Sequence, residues 1–132
     1  MQDHTKLFVW QRAHALTLDI HRAAREISGR RSPGLVPQLL RACASIPANI
    51  AEGAGQETPA QFARFLTIAI ASANETENHL VLVRDLEMLS PHRASPLVAE
   101  LCELRRMIMT LRKRVLERIH SISTHTLTRS DT

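Results

Sequence analysis

Apolar residues recur at alternating intervals of three and four along most of this chain, and this spacing limits the fold more than any other feature. Between residues 9 and 27 they are Val9, Ala13, Leu16, Ile20, Ala23 and Ile27. Between residues 97 and 115 they are Leu97, Leu101, Leu104, Ile108, Leu111 and Val115. Residues three and four apart lie on one side of an α-helix, whereas a β-strand repeats every two residues. The spacing therefore predicts an all-α chain whose helices pack along narrow apolar seams.

Residues that cap or interrupt helices divide the chain into four parts. The predicted helices span about residues 8–28, 36–53, 59–89 and 96–120. Thr58 and Gln61 form a capping box around Pro59, which suits the first position of a helix. Residues 90–95 are predicted to form a loop, after which Ser95 and Pro96 start the last helix.

The second predicted helix is apolar on almost every side. Its main stripe consists of Val36, Leu39, Cys43, Ile46 and Ile50. Alanines fill much of the rest, and a helix that is apolar all round is normally buried on more than one side. Pro47 should kink this helix because proline removes one intrahelical hydrogen bond. Gly53 should end it by adopting the left-handed conformation just past the last turn.

Short connections between the helices predict an antiparallel, up-down-up-down four-helix bundle. With 132 residues the chain is long enough to bury a core, so residues 1–120 are expected to form one domain. Residues 121–132 contain few apolar side chains and are expected to form a flexible tail.

The third predicted helix has more apolar surface than one core requires. Phe65, Ile68 and Ile70 widen its apolar arc to roughly 200°, against the ~100° that faces a single core. We expect the excess to form an interface between copies of the chain. The interface candidates are Phe65, Ile68, Ile70, Ala44, Ala48, Asn49 and Glu52. For Asn49 and Glu52 two interpretations stay open, contact with a partner or a polar bridge between helices, since a buried polar group needs a hydrogen-bond partner.

The cysteines and the N-terminus indicate the compartment. Cys43 and Cys102 fall within helical patterns without metal-ligand spacing, which fits buried thiols in a reducing environment. The first residues lack the layout of a signal peptide, and no run approaches the roughly 18 apolar residues of a membrane span. We therefore expect a cytoplasmic protein that does not enter a membrane.

Positive charge is concentrated on the fourth predicted helix. The chain has a formal net charge of +4, with 15 Arg against 2 Lys. The candidates for contact with nucleic acid are Arg105, Arg106, Arg112, Lys113, Arg114 and Arg118. A basic stripe can track phosphates and release their counterions. The alternative is that cations near a helix C-terminus are stabilised by the helix dipole and stay solvated.

Motifs for catalysis or cofactor binding are missing from the sequence. It has no glycine-rich phosphate loop, nucleophile motif or pair of catalytic carboxylates, so no enzymatic activity and no cofactor are expected. A metal-dependent oxidase on a bundle needs two Glu-x-x-His pairs, and only Glu117 with His120 has this spacing. Glu75 and His79 are explained as an ordinary surface pair. No metal site is predicted.

Several runs resemble the four-helix-bundle proteins of the 23S rRNA intervening-sequence family. They are Leu7, Val9-Trp10, Ala13, Gly34-Leu35, Gln38, Arg41-Ala42, the run from Ser45 to Gly53, Phe62, Arg64-Phe65-Leu66, Ile68-Ala69 and Ser72. The most specific run is SIPANIAEG, and the likeness extends over about residues 6–89. The resemblance implies a bacterial four-helix bundle that assembles into a ring-like homopentamer. A related protein, the accessory protein of diversity-generating retroelements, works with a reverse transcriptase and nucleic acid.

Two functions follow from these observations. The first is a non-enzymatic homo-oligomeric bundle that binds RNA, DNA or a nucleic-acid enzyme as an accessory. The second is a purely structural or protein-interaction module that does not bind nucleic acid.

Overall fold

Four α-helices account for most of the residues whose positions are described. The computed structural model describes the backbone of residues 2–28 and 32–130, and the side chains of these residues as far as residue 121. After a short 3₁₀ helix at His4–Lys6 come α1 (Phe8–Ala24), α2 (Leu35–Ala54), α3 (Pro59–Asp85) and α4 (Pro91–Ser130). No strand occurs within this described part of the chain. The prediction of an all-α fold with four helices is confirmed.

The four helices pack in a ring around one core. Contacts join α1 to α2, α2 to α3, α3 to α4, and α4 back to α1. The helices α3 and α4 are antiparallel, since Arg105 hydrogen-bonds to Glu77 whereas Arg112, further along α4, hydrogen-bonds to the earlier residue Thr67 of α3. An up-down-up-down bundle requires this antiparallel direction between its third and fourth helices.

The predicted apolar stripes form the core. In α1 the buried members are Ala13, Leu16, Ile20 and Ala23, and in α4 they are Leu97, Leu101, Leu104, Ile108 and Val115. Two further members of the first stripe pack against this core from half-buried positions, Val9 near the start of α1 and Ile27 just beyond its end. In α1 and α4 the helical period thus identified the core-facing side correctly.

Gly53 has a different role from the one predicted. The helix α2 continues through Gly53 to Ala54, and none of the described glycines has a positive φ. A Cβ atom at Gly53 would lie 2.9 Å from Cδ1 of Phe62 and 2.9 Å from Cβ of Phe65. Glycine is therefore required by the close approach of α3, and the predicted left-handed conformation is wrong.

Both ends of α3 are defined by caps. The Thr58 side chain accepts a hydrogen bond from the Gln61 amide at 3.2 Å, which confirms the predicted start. The helix ends at Asp85 rather than 89, because Glu87 adopts a left-handed φ of 59°. The Met88 amide then donates to the carbonyl of Val83 at 3.0 Å, as in a Schellman motif. The sequence carries no signal for this stop, since glycine is the usual residue at that position.

The first and last helices also differ from their predicted lengths. α1 ends at Ala24 rather than 28, because the amides of Arg25, Glu26 and Ile27 each bond to the carbonyl three residues earlier. α4 starts at Pro91 rather than 96, so most of the predicted loop at 90–95 is helical. Ser90 accepts a hydrogen bond from the Arg93 amide at 3.4 Å. Two Ser-Pro pairs lie close together here, Ser90-Pro91 and Ser95-Pro96, and the first of these two marks the boundary.

At its other end α4 continues past the predicted stop at 120. The backbone of the predicted tail, residues 121–132, is helical as far as Ser130, and residues 131–132 lie outside the described part. A formed helix adds one hydrogen bond for each further residue, and no glycine or proline follows Pro96 to stop it.

None of the helices within the described residues contains an apolar stretch that could span a bilayer.

Candidate nucleic-acid and subunit interfaces

The six cations proposed as nucleic-acid contacts are distributed over different surfaces of α4. Two of them are engaged by α3. Arg105 Nη1 donates to Glu77 Oε2 at 2.6 Å and to Asn74 Oδ1 at 3.1 Å. Arg112 Nε donates to Thr67 Oγ1 at 2.8 Å. These guanidinium groups help to attach α4 to α3.

Arg105 belongs to a small polar cluster with Glu77 and Cys102. Hydrogen bonding by the Arg105 guanidinium holds the pKa of Glu77 below its usual value of 4.5. The Cys102 thiol donates to the same Glu77 oxygen at 3.3 Å, and burial together with this carboxylate raises the pKa of Cys102. The cluster compensates the charge of Arg105 within the chain, so this residue is a weak candidate for binding phosphate.

Arg106 and Arg114 line a groove between α4 and the start of α1, which we call the α1–α4 groove. Its volume is about 390 Å³. The lining residues are Leu7, Phe8, Val9, Glu103, Arg106, Met107, Thr110, Leu111 and Arg114. The Arg106 side chain is 74% exposed and pairs with Glu103 at 3.2 Å. This groove therefore combines apolar walls with exposed cations.

A second groove, the α3–α4 groove, has a volume of about 630 Å³. Its lining residues are Thr67, Ile70, Met109, Thr110, Arg112, Lys113 and Leu116. Arg118 lies elsewhere, at the end of the bundle, where it lines a cleft with Gln56 and Glu57 from the connection between α2 and α3. The structure thus separates cations that a helical projection of α4 places together.

Phe8 is a surface residue that sequence reasoning did not select. Its side chain is 62% exposed, and the guanidinium carbon of Arg12 lies 5.8 Å from the centre of its ring. Arg12 is held there by Glu100, whose Oε1 accepts a hydrogen bond from Arg12 Nε at 2.9 Å. The sequence feature that could have identified Phe8 as an exposed aromatic residue is its position next to Val9, just outside the apolar stripe of α1.

The subunit-interface candidates lie on two surfaces. Ala44, Ala48 and Glu52 are exposed on α2, and Ile68 is 40% exposed on α3. Phe65 is half-buried and lies close to Gly53 of α2. Ile70 instead lines the α3–α4 groove, since residues two apart point to different sides of a helix.

Asn49 takes part in a polar bridge between α2 and α3. Its Nδ2 donates to the carbonyl of Ser45 at 2.8 Å and to Ser45 Oγ at 2.9 Å. Ser45 Oγ in turn hydrogen-bonds to Ser72 Oγ at 2.8 Å. The Asn49 side chain thus bonds within α2, and Ser45 makes the contact with Ser72 of α3.

The titratable side chains of the described residues were compared with the requirements of a metal site. Among the residues described, no three of His, Cys, Asp or Glu come together as metal ligands. Cys43 is buried, and burial raises its pKa to about 11. His79 is buried rather than at the surface as predicted. Its Nε2 lies 3.4 Å from Glu75 Oε1, and its Nδ1 has no partner among the described atoms.

The fold and surface define a class of protein, a four-helix bundle with an arginine-bearing fourth helix. The model of the 23S rRNA-intervening sequence protein family matches residues 5–110. The chain belongs to this family.

A solved structure supports the same fold. It is the crystal structure of a protein of unknown function from the S23 ribosomal protein family of Bacteroides thetaiotaomicron. The two chains are 24% identical and superpose with a TM-score of 0.71, over 80% of this chain and 98% of the other. No protein with a curated description matches the chain.

Proposed function

We propose that this protein is a non-enzymatic, homo-oligomeric helical bundle of the cytoplasm that serves as an accessory to nucleic acid or to an enzyme acting on nucleic acid. The observation that carries the proposal is the set of exposed cations on α4. Arg106, Lys113 and Arg114 are all exposed, and they line the two grooves that flank this helix. Cations on an accessible helix can replace the counterions of a phosphate backbone.

Self-association would strengthen this surface. The family resemblance implies a pentamer, in which each cation of α4 would occur once in every subunit. Repeated charges of one sign add to a stronger field, which attracts a polyanion and speeds its association. The free cysteines Cys43 and Cys102 fit the proposed reducing compartment.

The alternative function is a structural or protein-interaction module. It is favoured by the exposed apolar residues on the outer surface, including Ile68, Met109 and Leu116. Exposed apolar side chains that cluster on a surface are typical of protein-interaction sites.

Binding of labelled RNA and DNA across a salt series tests the proposal. We expect the affinity to fall as salt rises, and the variant with Arg106, Lys113 and Arg114 changed to Ala to bind weakly. For a single strand its salt slope should be smaller by about 2, since each neutralised phosphate contributes about 0.7. The control carries the same loss of charge at the other end of the bundle, through Ala at Arg22, Arg25 and Arg93.

The control should bind nearly as well as the unchanged protein. Absence of salt-sensitive binding, or equal losses in the two triple variants, would contradict the proposal. If the protein binds a partner protein and does not bind nucleic acid, the alternative is supported instead.

A further inference from the structure

We propose that the α1–α4 groove binds single-stranded nucleic acid, with one unpaired base stacked on the ring of Phe8. This inference rests on the proposed function and names the strand type and the contact residue. The exposed ring is unusual for this chain, which has only 3 Phe and 1 Trp. Phe62 is buried, and Phe65 and Trp10 are half-buried.

The ring of Phe8 is held in place from one side. The Arg12 guanidinium carbon, 5.8 Å from the ring centre, is within the range of a cation–π contact. Its ion pair with Glu100 keeps Arg12 in this position. With 62% of Phe8 exposed, ring surface remains open to a ligand. Each nucleobase has a π-face that can stack on such a ring.

The groove also offers groups for the phosphates on either side of a stacked base. Arg106 and Arg114 are eight residues apart on α4, which corresponds to about 12 Å along the helix axis. Arg114 forms no ion pair within the described part of the chain. The volume of about 390 Å³ is in the range of small-ligand sites, roughly 300–1,000 Å³.

One carboxylate opposes this charge. Glu103 lines the groove and pairs with Arg106, but the two side chains are 52% and 74% exposed. Exposed pairs of this kind contribute little to stability, so a phosphate can displace Glu103 from Arg106. Removal of the negative charge at Glu103 should therefore strengthen binding.

A single strand fits these features better than a duplex or a peptide. Bases in a duplex already stack on one another, whereas those of a single strand are free to stack on aromatic side chains. The two rim arginines complement a polyanion. An acidic helix or a second copy of this chain would use the same groove without needing a flat aromatic ring.

The test compares a labelled single-stranded oligonucleotide of uridines or thymidines with a duplex of equal length. Phe8→Ala should weaken single-strand binding by roughly 5- to 150-fold, the effect of losing one stacked base, and should leave the salt slope unchanged. Duplex binding should hardly change. Glu103→Gln should tighten the binding of both the single strand and the duplex. Leu18→Ala is the matched control, because Leu18 is also an exposed apolar residue of α1.

Two further measurements complete the design. Thermal unfolding of Phe8→Ala should match that of the unchanged protein, because the ring is exposed, and Phe8→Trp should retain single-strand binding. If Phe8→Ala binds the single strand normally while the triple cation variant does not, this inference fails and the proposed function stands. If the unchanged protein binds neither strand type, both fail. If Phe8→Ala changes only the sedimentation of the protein, the groove contacts a second copy and this inference is overturned.

Discussion

At the level of single residues, neighbouring arginines of α4 differ in what compensates their charge. Arg105 is held by Glu77 and Asn74 of α3, with hydrogen bonds of 2.6 and 3.1 Å. Arg106, the next residue, is exposed and pairs with a residue of its own helix, Glu103. A rotation of 100° along the helix therefore separates an arginine that stabilises the fold from one that can bind a ligand.

The Glu77–Arg105 pair predicts a pH-dependent contribution to stability. Because the folded pKa of Glu77 lies below its usual value of 4.5, the pair stabilises the fold above that pH. The contribution is lost as the pH falls below 4.5 and through the lowered folded pKa. Glu77→Gln should lower the free energy of unfolding at neutral pH by up to about 1 kcal/mol. Urea unfolding at a series of pH values measures the difference.

Glu103→Gln serves as the comparison, because its pair with Arg106 is more exposed and should contribute almost nothing. A penalty for Glu77→Gln that is equal at neutral and acidic pH would show that the charge of the carboxylate is not responsible.

At the level of helices, α3 approaches α2 closely at the C-terminal end of α2. Gly53 lies within α2, and the space beside it is occupied by Phe62 and Phe65 of α3. Gly53 also lies in the run SIPANIAEG that carries the family resemblance. The glycine in this run is explained by interhelical packing.

Gly53→Ala should destabilise the protein. Alanine favours a helix interior by up to about 1 kcal/mol over glycine. The added Cβ, however, would lie 2.9 Å from two phenylalanine side-chain atoms, and overpacking of this kind costs about 1–3 kcal/mol. The net loss should appear as a lower midpoint of thermal or urea unfolding.

Gly55→Ala is the matched control, because its Cβ would meet only carbonyl oxygens at 3.6 and 3.7 Å. This variant should keep the stability of the unchanged protein. If the Gly53→Ala variant were as stable as the unchanged protein, α3 would be able to move away from α2 without a cost in free energy.

At the level of the whole molecule, the single chain leaves small and apolar side chains of α2 and α3 in contact with solvent. Ala44 and Ala48 are exposed, and Ile68 is 40% exposed. Burial of apolar area between copies would be favourable, at roughly 25 cal/mol per Å². This surface is the one that the proposed self-association would use.

Sedimentation should therefore give a mass several times the 14.8 kDa of one chain at micromolar concentration. Ile68→Glu should shift the protein toward single subunits, because it places a charge where apolar contact is expected. Leu18→Glu is the control, since Leu18 is 41% exposed but lies on α1. A compact single subunit in the unchanged protein would remove the basis for an oligomer.

The sequence by itself determined the features that depend on local spacing and capping. Interactions within a few residues along the chain determine the stripes of α1 and α4, the number of helices, and the start of α3 after its cap Thr58. Such interactions are present in any helix that this sequence forms, so they could be predicted without knowledge of neighbouring helices.

Only the tertiary structure decided what each surface residue faces. Side chains that are distant in the sequence determine the role of Gly53, the hydrogen bond between Arg105 and Glu77, and the exposure of the Phe8 ring. The helical period determines which residues of one helix share a side. The element that packs against that side is set by how all the helices bury their apolar stripes together.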